Sequence, residues 1–146
     1  MIQLGSIDLN ISEHCNLSCT HCSHASPTLP RWLMSGIEVE RDLMALKPFV
    51  RAESVLILGG EPLLHFGIVE IMRLVAKIRI DKQHVVITNG TLLPKMRHDF
   101  WRALEFLQIS VYDGLDPEIV TMAKAKSKEY GFGFANTVFT DFYEQL

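Results

Sequence analysis

Ser54-Val55-Leu56-Ile57-Leu58 runs without a break into Gly59-Gly60-Glu61-Pro62. A short run that is apolar after its first residue suits a strand covered on both faces, and such strands belong to parallel sheets. Two glycines, an acid and a proline directly behind it mark a turn at the strand's carboxyl end. The arrangement recurs along the chain. Residues 84–88, with Val85, Val86 and Ile87, run into Asn89-Gly90, and residues 107–112 run into Asp113-Gly114. Upstream, residues 6–12 alternate Ile7, Leu9 and Ile11 as a first strand, and residues 133–139 form a weaker fifth candidate.

Helical patterns separate the strands. Ser35 with Glu38 three residues on is a capping-box signature, and it opens a helix to about residue 49. Ile68, Ile71, Met72, Val75 and Ile78 form a stripe at helical spacing. Pro94 precedes Met96, Phe100, Leu104 and Leu107 at similar spacing, which predicts a third helix. Asp116-Pro117-Glu118 supplies an N-cap, a first-turn proline and an acid at the dipole's positive end, and Gly131 stops that helix just past Tyr130.

The order β-α-β-α-β-α-β-α-β predicts a parallel sheet with right-handed crossovers. A closed eight-fold barrel needs about 250 residues, so this chain of 146 supplies an open arc of about five strands. The fold class expected is α/β, a partial TIM-like (β/α) barrel formed as one domain over 1–146. Ligands in such folds bind at the carboxyl ends of the strands.

Composition narrows the function. The chain is 48% hydrophobic and 21% charged with a formal net charge of −3, which speaks against a nucleic-acid surface. Lys124, Lys126 and Lys128 read as a solvated helix face. The N-terminus shows no basic n-region leading into an apolar stretch, so no signal peptide is expected. The most apolar segment, 68–80, is interrupted by Glu70, Arg73, Lys77 and Arg79, and no membrane span is expected.

All three cysteines, Cys15, Cys19 and Cys22, fall in one short stretch after the first strand. A disulfide framework would spread them out, so the cluster reads as a metal site or reactive thiol in a reducing cytoplasm. Three thiolates can hold three irons of a cubane and leave the fourth open to a small molecule. A structural zinc site would need a fourth ligand, and His14, His21 and His24 are near in sequence. From spacing alone both metals remain open.

Taken together, the motifs resemble the radical SAM superfamily. Cys15-x3-Cys19-x2-Cys22 follows the first strand, Gly59-Gly60-Glu61-Pro62 ends the second and Thr88-Asn89-Gly90 ends the third. Ile109-Ser110-Val111-Tyr112-Asp113-Gly114 ends the fourth. The resemblance spans residues from about 6 to 140 and implies a [4Fe–4S] cluster on Cys15, Cys19 and Cys22, its open iron chelated by S-adenosylmethionine. Gly59 and Gly60 would let backbone carbonyls approach the methionine ammonium, with Glu61 adding negative charge beside it. Thr88 and Asn89 would lie near the ribose or methionine moiety, and Ser110 would hydrogen-bond the ribose or carboxylate. His21 stands where the family usually has an aromatic residue near adenine, and His65-Phe66-Gly67 replaces a frequent His-Pro-Gly, a packing change.

The chemistry implied is one-electron cleavage of the sulfonium to a 5′-deoxyadenosyl radical, which takes a hydrogen atom from a peptide or small-molecule substrate. The electron would come from a donor such as flavodoxin or ferredoxin. Radical formation requires no ionisable side chain, so no general acid or base is expected. The family core usually has six units. Five strands therefore suggest a fragment, a truncated member, or a barrel completed by a partner chain. The alternatives are an Fe–S and S-adenosylmethionine-binding module that does not turn over, and a structural zinc protein.

Other residues read as structural. His84 and His98 are expected at the surface or as caps, and Trp32 and Trp101 as packing. Met34, Met44, Met72 and Met96 read as core filler. Asp8 and Asn10 alternate with apolar residues on the first strand and should face the barrel interior.

Overall fold

The computed structural model describes residues 1–13 and 33–139. Five strands, β1 (Ile2–Ser12), β2 (Val50–Gly59), β3 (Asp81–Thr88), β4 (Phe106–Tyr112) and β5 (Gly133–Phe139), alternate with four helices. The helices are α1 (Gly36–Leu46), α2 (Ile68–Ile78), α3 (His98–Ala103) and α4 (Pro117–Tyr130). The sheet is parallel throughout and its strands lie in chain order. This is the expected open arc of a partial barrel.

One sheet face carries the core. Leu9 and Ile11, Val55 and Ile57, Val86, and Leu107 and Ile109 are buried with Val39 and Leu43 of α1, Ile71, Met72 and Val75 of α2, Phe100 of α3 and Ala123 of α4. Each fully buried side chain of this size contributes about 1.5–3 kcal/mol of hydrophobic stabilisation. Strand alternation sends the intervening residues to the other face. There Asp8, Asn10 and Gln83 are exposed and Gln108 and Ser110 half-buried. Asp8 and Asn10 thus lie on the interior face of the arc, as their spacing implies.

Local signals account for most boundaries. The Ser35 side chain accepts from the Glu38 N–H at 3.2 Å and starts α1. Asp116 accepts from the Glu118 N–H at 2.9 Å, with Pro117 in the first turn of α4, and Gly131 closes the helix at φ 82°. Four expectations are corrected. Helix α1 stops at Leu46 because Pro48 has no N–H to continue the ladder, and β2 begins at Val50, earlier than residue 54. The stretch after Pro94 does not form a long helix. Residues Leu93–Lys95 make a 3-10 turn, Met96 and Arg97 are extended, and Leu104 leaves the helix to lead into β4. Strand β1, too, starts earlier, at Ile2.

His84 is also corrected. It is fully buried at the amino-terminal end of the sheet, not at the surface. Its Nε2 accepts from the Glu105 N–H at 3.3 Å, so in the neutral ring the proton sits on Nδ1, 2.7 Å from Glu105 Oε1. That approach is close without being a well-aligned hydrogen bond. Glu105 Oε1 also accepts from the His84 N–H at 3.0 Å. Arg79 closes the group with two bonds to Glu105, at 3.1 and 2.8 Å. Trp101 packs as expected, stacked on Phe132 with centroids 5.9 Å apart. His98 meets the Tyr130 hydroxyl at 2.5 Å on an exposed helix face. Lys124 and Lys128 are solvated, while Lys126 lies over the Trp101 and Tyr130 rings. Met72 is core, but Met44 is exposed.

Burial lowers the His84 pKa from its ordinary 6.5 against the pull of Glu105. For Glu105, burial pushes upward, but the bonds from Arg79 and His84 outweigh it and hold the carboxyl below its ordinary 4.5. The unfolded chain therefore binds more protons than the folded one as pH falls, and stability drops on acidification. Asp81, raised by burial, acts in the opposite sense. Urea unfolding should show wild type losing stability as pH falls through the histidine range near 6.5, with a smaller loss in His84→Gln. Equal slopes in the two proteins would refute this account.

Candidate functional site

The carboxyl ends of β1, β2 and β3 are tied together at the Gly59-Gly60-Glu61 turn. The Gly60 N–H donates to the Ser12 carbonyl at 2.9 Å, and the Ser12 hydroxyl donates to the Glu61 carbonyl at 3.1 Å. Gly59 makes this approach possible. At its φ of 156°, a Cβ would lie 2.1 Å from the Ser12 carbonyl oxygen, closer than any side chain can sit. The glycine thus serves the contact between strands β1 and β2.

Glu61 turns inward. Its side chain is buried at 1% exposure and takes three donors: the Leu63 N–H at 3.1 Å, the Thr88 hydroxyl at 2.5 Å and the Asn89 N–H at 2.8 Å. Thr88 pairs in register with Ile109, so its side chain lies on the helix-covered side of the sheet. The carboxylate therefore ties the turns after β2 and β3 together. Burial pushes its pKa up, and the three donors pull it back toward the charged form.

The turn after β3 is braced in the same way. The Gly90 N–H donates to Thr88 Oγ1 at 3.1 Å. Asn89 Oδ1 accepts from the Thr91 N–H at 3.0 Å and from the Thr91 hydroxyl at 2.8 Å. Beside Asn89 a cleft of about 290 Å³ opens between the turns after β3 and β4, lined by Thr91, Tyr112, Asp113, Leu115 and Asp116 among others. Ser110 sits one residue beyond Ile109, on the interior face, in register with Thr137 of β5. Tyr112 stacks on Phe139 with centroids 5.2 Å apart. A wider groove of about 610 Å³ between α3 and α4 carries none of the motif residues.

Gly59, Gly60, Glu61, Thr88 and Asn89 are thus one connected group, while Ser110 stands apart on the neighbouring strand. Cys15, Cys19, His21 and Cys22 lie outside the described residues, as do His14, His24 and Trp32. Their stretch leaves the sheet at Ser12 and returns at Leu33, and these two residues form an antiparallel bridge. Cys15 comes three residues after Ser12, so chain length keeps it within about 10 Å of the residue that Gly60 contacts. Among the described residues, no group of three His, Cys, Asp or Glu is placed to hold a metal. No helix among them is long and apolar enough to cross a membrane. The bonding roles of Ser12, His65 and Thr91 escaped the sequence reading. Ser12 had a signal in its place at the strand end, whereas the other two depend on contacts distant in sequence or local to a turn.

A parallel α/β arc with its glycine-rich turns gathered at the strand ends defines a cofactor-binding half-barrel. A family model described as the radical SAM superfamily matches residues 9–129. Curated relatives include a GTP 3′,8-cyclase of Alkaliphilus oremlandii, 31% identical over 80% of this chain and 37% of the relative. A GTP 3′,8-cyclase of Geobacter sulfurreducens is 33% identical over 75% of this chain and 34% of its own length. The chain thus spans about a third of these relatives. Among solved structures, BtrN in complex with AdoMet and 2-DOIA superposes with a TM-score of 0.68 at 14% identity, covering 98% of this chain and 58% of that one. The anSMEcpe protein with bound AdoMet gives 0.67 at 21% identity, covering 92% and 42%. The chain belongs to the radical SAM superfamily, enzymes that use a [4Fe–4S] cluster and S-adenosylmethionine.

Replacing Glu61 by Ala removes the acceptor of three donors in one buried space. Urea unfolding of Glu61→Ala should show a loss of about 3 kcal/mol, with Glu61→Gln losing less. An alanine variant as stable as wild type would mean the carboxylate is not the anchor of these turns.

Proposed function

We propose that Cys15, Cys19 and Cys22 hold a [4Fe–4S] cluster at the end of β1. In this reading the chain binds S-adenosylmethionine across the turns at Gly59, Gly60, Glu61, Thr88 and Asn89, with Ser110 and His21 completing the contacts. The observation that carries it is the hydrogen-bonded connection of Ser12 to Gly60 and Glu61, and of Glu61 to Thr88 and Asn89. It joins the strand end that leads into the cysteines to two of the family's remaining motifs. When bound, the cluster supplies the electron that breaks the S–C5′ bond of S-adenosylmethionine, releasing methionine and providing the agent of hydrogen abstraction.

The protein's own part is to hold and orient. Gly59 and Gly60 are half-buried at the turn, with the Gly60 N–H held by the Ser12 carbonyl, and Glu61 ties the turns after β2 and β3 together. The interior face with Asp8, Asn10, Gln83 and Gln108 is the surface open to a substrate. The names of the curated relatives specify GTP, a small molecule, so a small-molecule substrate is favoured over a peptide. A flavodoxin or ferredoxin in a reducing cytoplasm would deliver the electron.

Anaerobic reconstitution should give a brown protein with about four irons per chain, lost in Cys19→Ala. With a reductant and S-adenosylmethionine it should release 5′-deoxyadenosine. Iron with ligand binding but without that product would favour the module that does not turn over. One zinc and no iron would overturn the proposal.

A further inference from the structure

His65 was read only as part of a packing change at the start of α2, yet it holds the far end of the cysteine stretch. It is buried at 4% exposure. Its Nδ1 accepts from the Gly67 N–H at 2.9 Å, at the entry to α2. An acceptor Nδ1 leaves the proton of the neutral ring on Nε2, and Nε2 donates to the Met34 carbonyl at 2.5 Å. Met34 is itself buried, and its N–H donates to the Ile11 carbonyl at 2.9 Å. Met34 is therefore held at its N–H by β1 and at its carbonyl by His65. Phe66, in place of the usual proline, is 90% exposed and adds nothing to this grip.

The entry side is held by the same short segment. Ser12 is bonded to Gly60 and Glu61, and Met34 to His65, so both ends of the stretch containing residues 14–32 are fastened to residues 60–65. Anchoring both ends of one excursion to one rigid turn fixes its frame relative to that turn. A long segment held at one end alone would place its thiolates less reproducibly, and displacements of about 1 Å in a reacting constellation cost about 100-fold.

We propose that His65 is a positioning residue for the cofactor site, fixing the exit of the cysteine stretch against the Gly59-Gly60-Glu61 turn so that cluster and S-adenosylmethionine meet in register. This deepens the radical SAM reading and rests on it. The alternative is that His65 merely starts α2 and fills space, in which case its loss lowers stability and leaves ligand binding alone.

Two substitutions divide the ring's functions. In His65→Gln the amide nitrogen stands near the place of Nε2 and keeps a donor toward Met34. In His65→Asn the side-chain oxygen stands near Nδ1 and keeps the acceptor for Gly67, with no reach to Met34. Each full chain is reconstituted anaerobically and compared for iron content, thermal midpoint, and the change in the reduced cluster's EPR spectrum as S-adenosylmethionine is titrated. His65→Asn should load iron yet need about tenfold more S-adenosylmethionine for half the spectral change, and His65→Gln should restore most of the wild-type response. If wild type responds and both variants respond as it does, whatever their thermal midpoints, the positioning role is overturned and the cluster reading stands. If wild type itself takes no iron, the cluster reading fails, and this role with it.

Discussion

The carboxylate of Glu61 is the contact on which the functional end of the molecule depends. Two backbone N–H groups and one hydroxyl, drawn from two turns, converge on its two oxygens inside a space closed to water. A buried carboxylate without donors would give up its charge or its fold. With three donors it becomes a rigid joint. Because Thr88 ends β3 and Glu61 follows β2, this joint fixes the spacing of adjacent strand ends more tightly than the strand ladder alone.

From that joint the geometry passes outward in both directions. Toward β1, Ser12 exchanges bonds with Gly60 and Glu61, and Gly59 permits the closeness by having no Cβ. Toward β4, Asn89 is braced by Thr91 beside the cleft that Tyr112 and Asp113 help to line. A turn that must serve a ligand through its backbone cannot be left loose, because backbone groups have no rotamers with which to recover a lost position. Side-chain anchors behind the turn are the physical solution, and they explain why acid, hydroxyl and amide stand together there.

The arc and its ligand edge were legible in the sequence because parallel strands and glycine-rich turns leave local marks. Val55-Leu56-Ile57-Leu58 can hardly be anything but a covered strand, and Asp116-Pro117-Glu118 announces a helix by chemistry confined to one turn. What escaped was decided by contacts distant in sequence. Phe100, Leu104 and Leu107 keep helical spacing, but Pro94 interrupts the donors ahead of them and β4 claims Leu107, so tertiary pairing overrode the pattern. His84 looked like a surface residue because nothing near it in sequence shows that Glu105 and Arg79 will enclose it. The three donors to Glu61 were hidden for a related reason, since a motif names residue types and not the contacts they make.

The two ends of the sheet answer different demands. At the amino-terminal end Arg79, Glu105 and His84 bond to one another in one group, with Arg79 in the left-handed region at φ 56° as the cap of α2. A left-handed arginine costs about 1 kcal/mol or more, and its bidentate hold on Glu105 offsets that cost. At the carboxyl end the anchors Ser12, Glu61 and His65 are buried just behind backbone turns that face outward. Charge is thus neutralised internally where only stability is at stake. At the carboxyl end, by contrast, the polar side chains tie successive strand-end turns to one another.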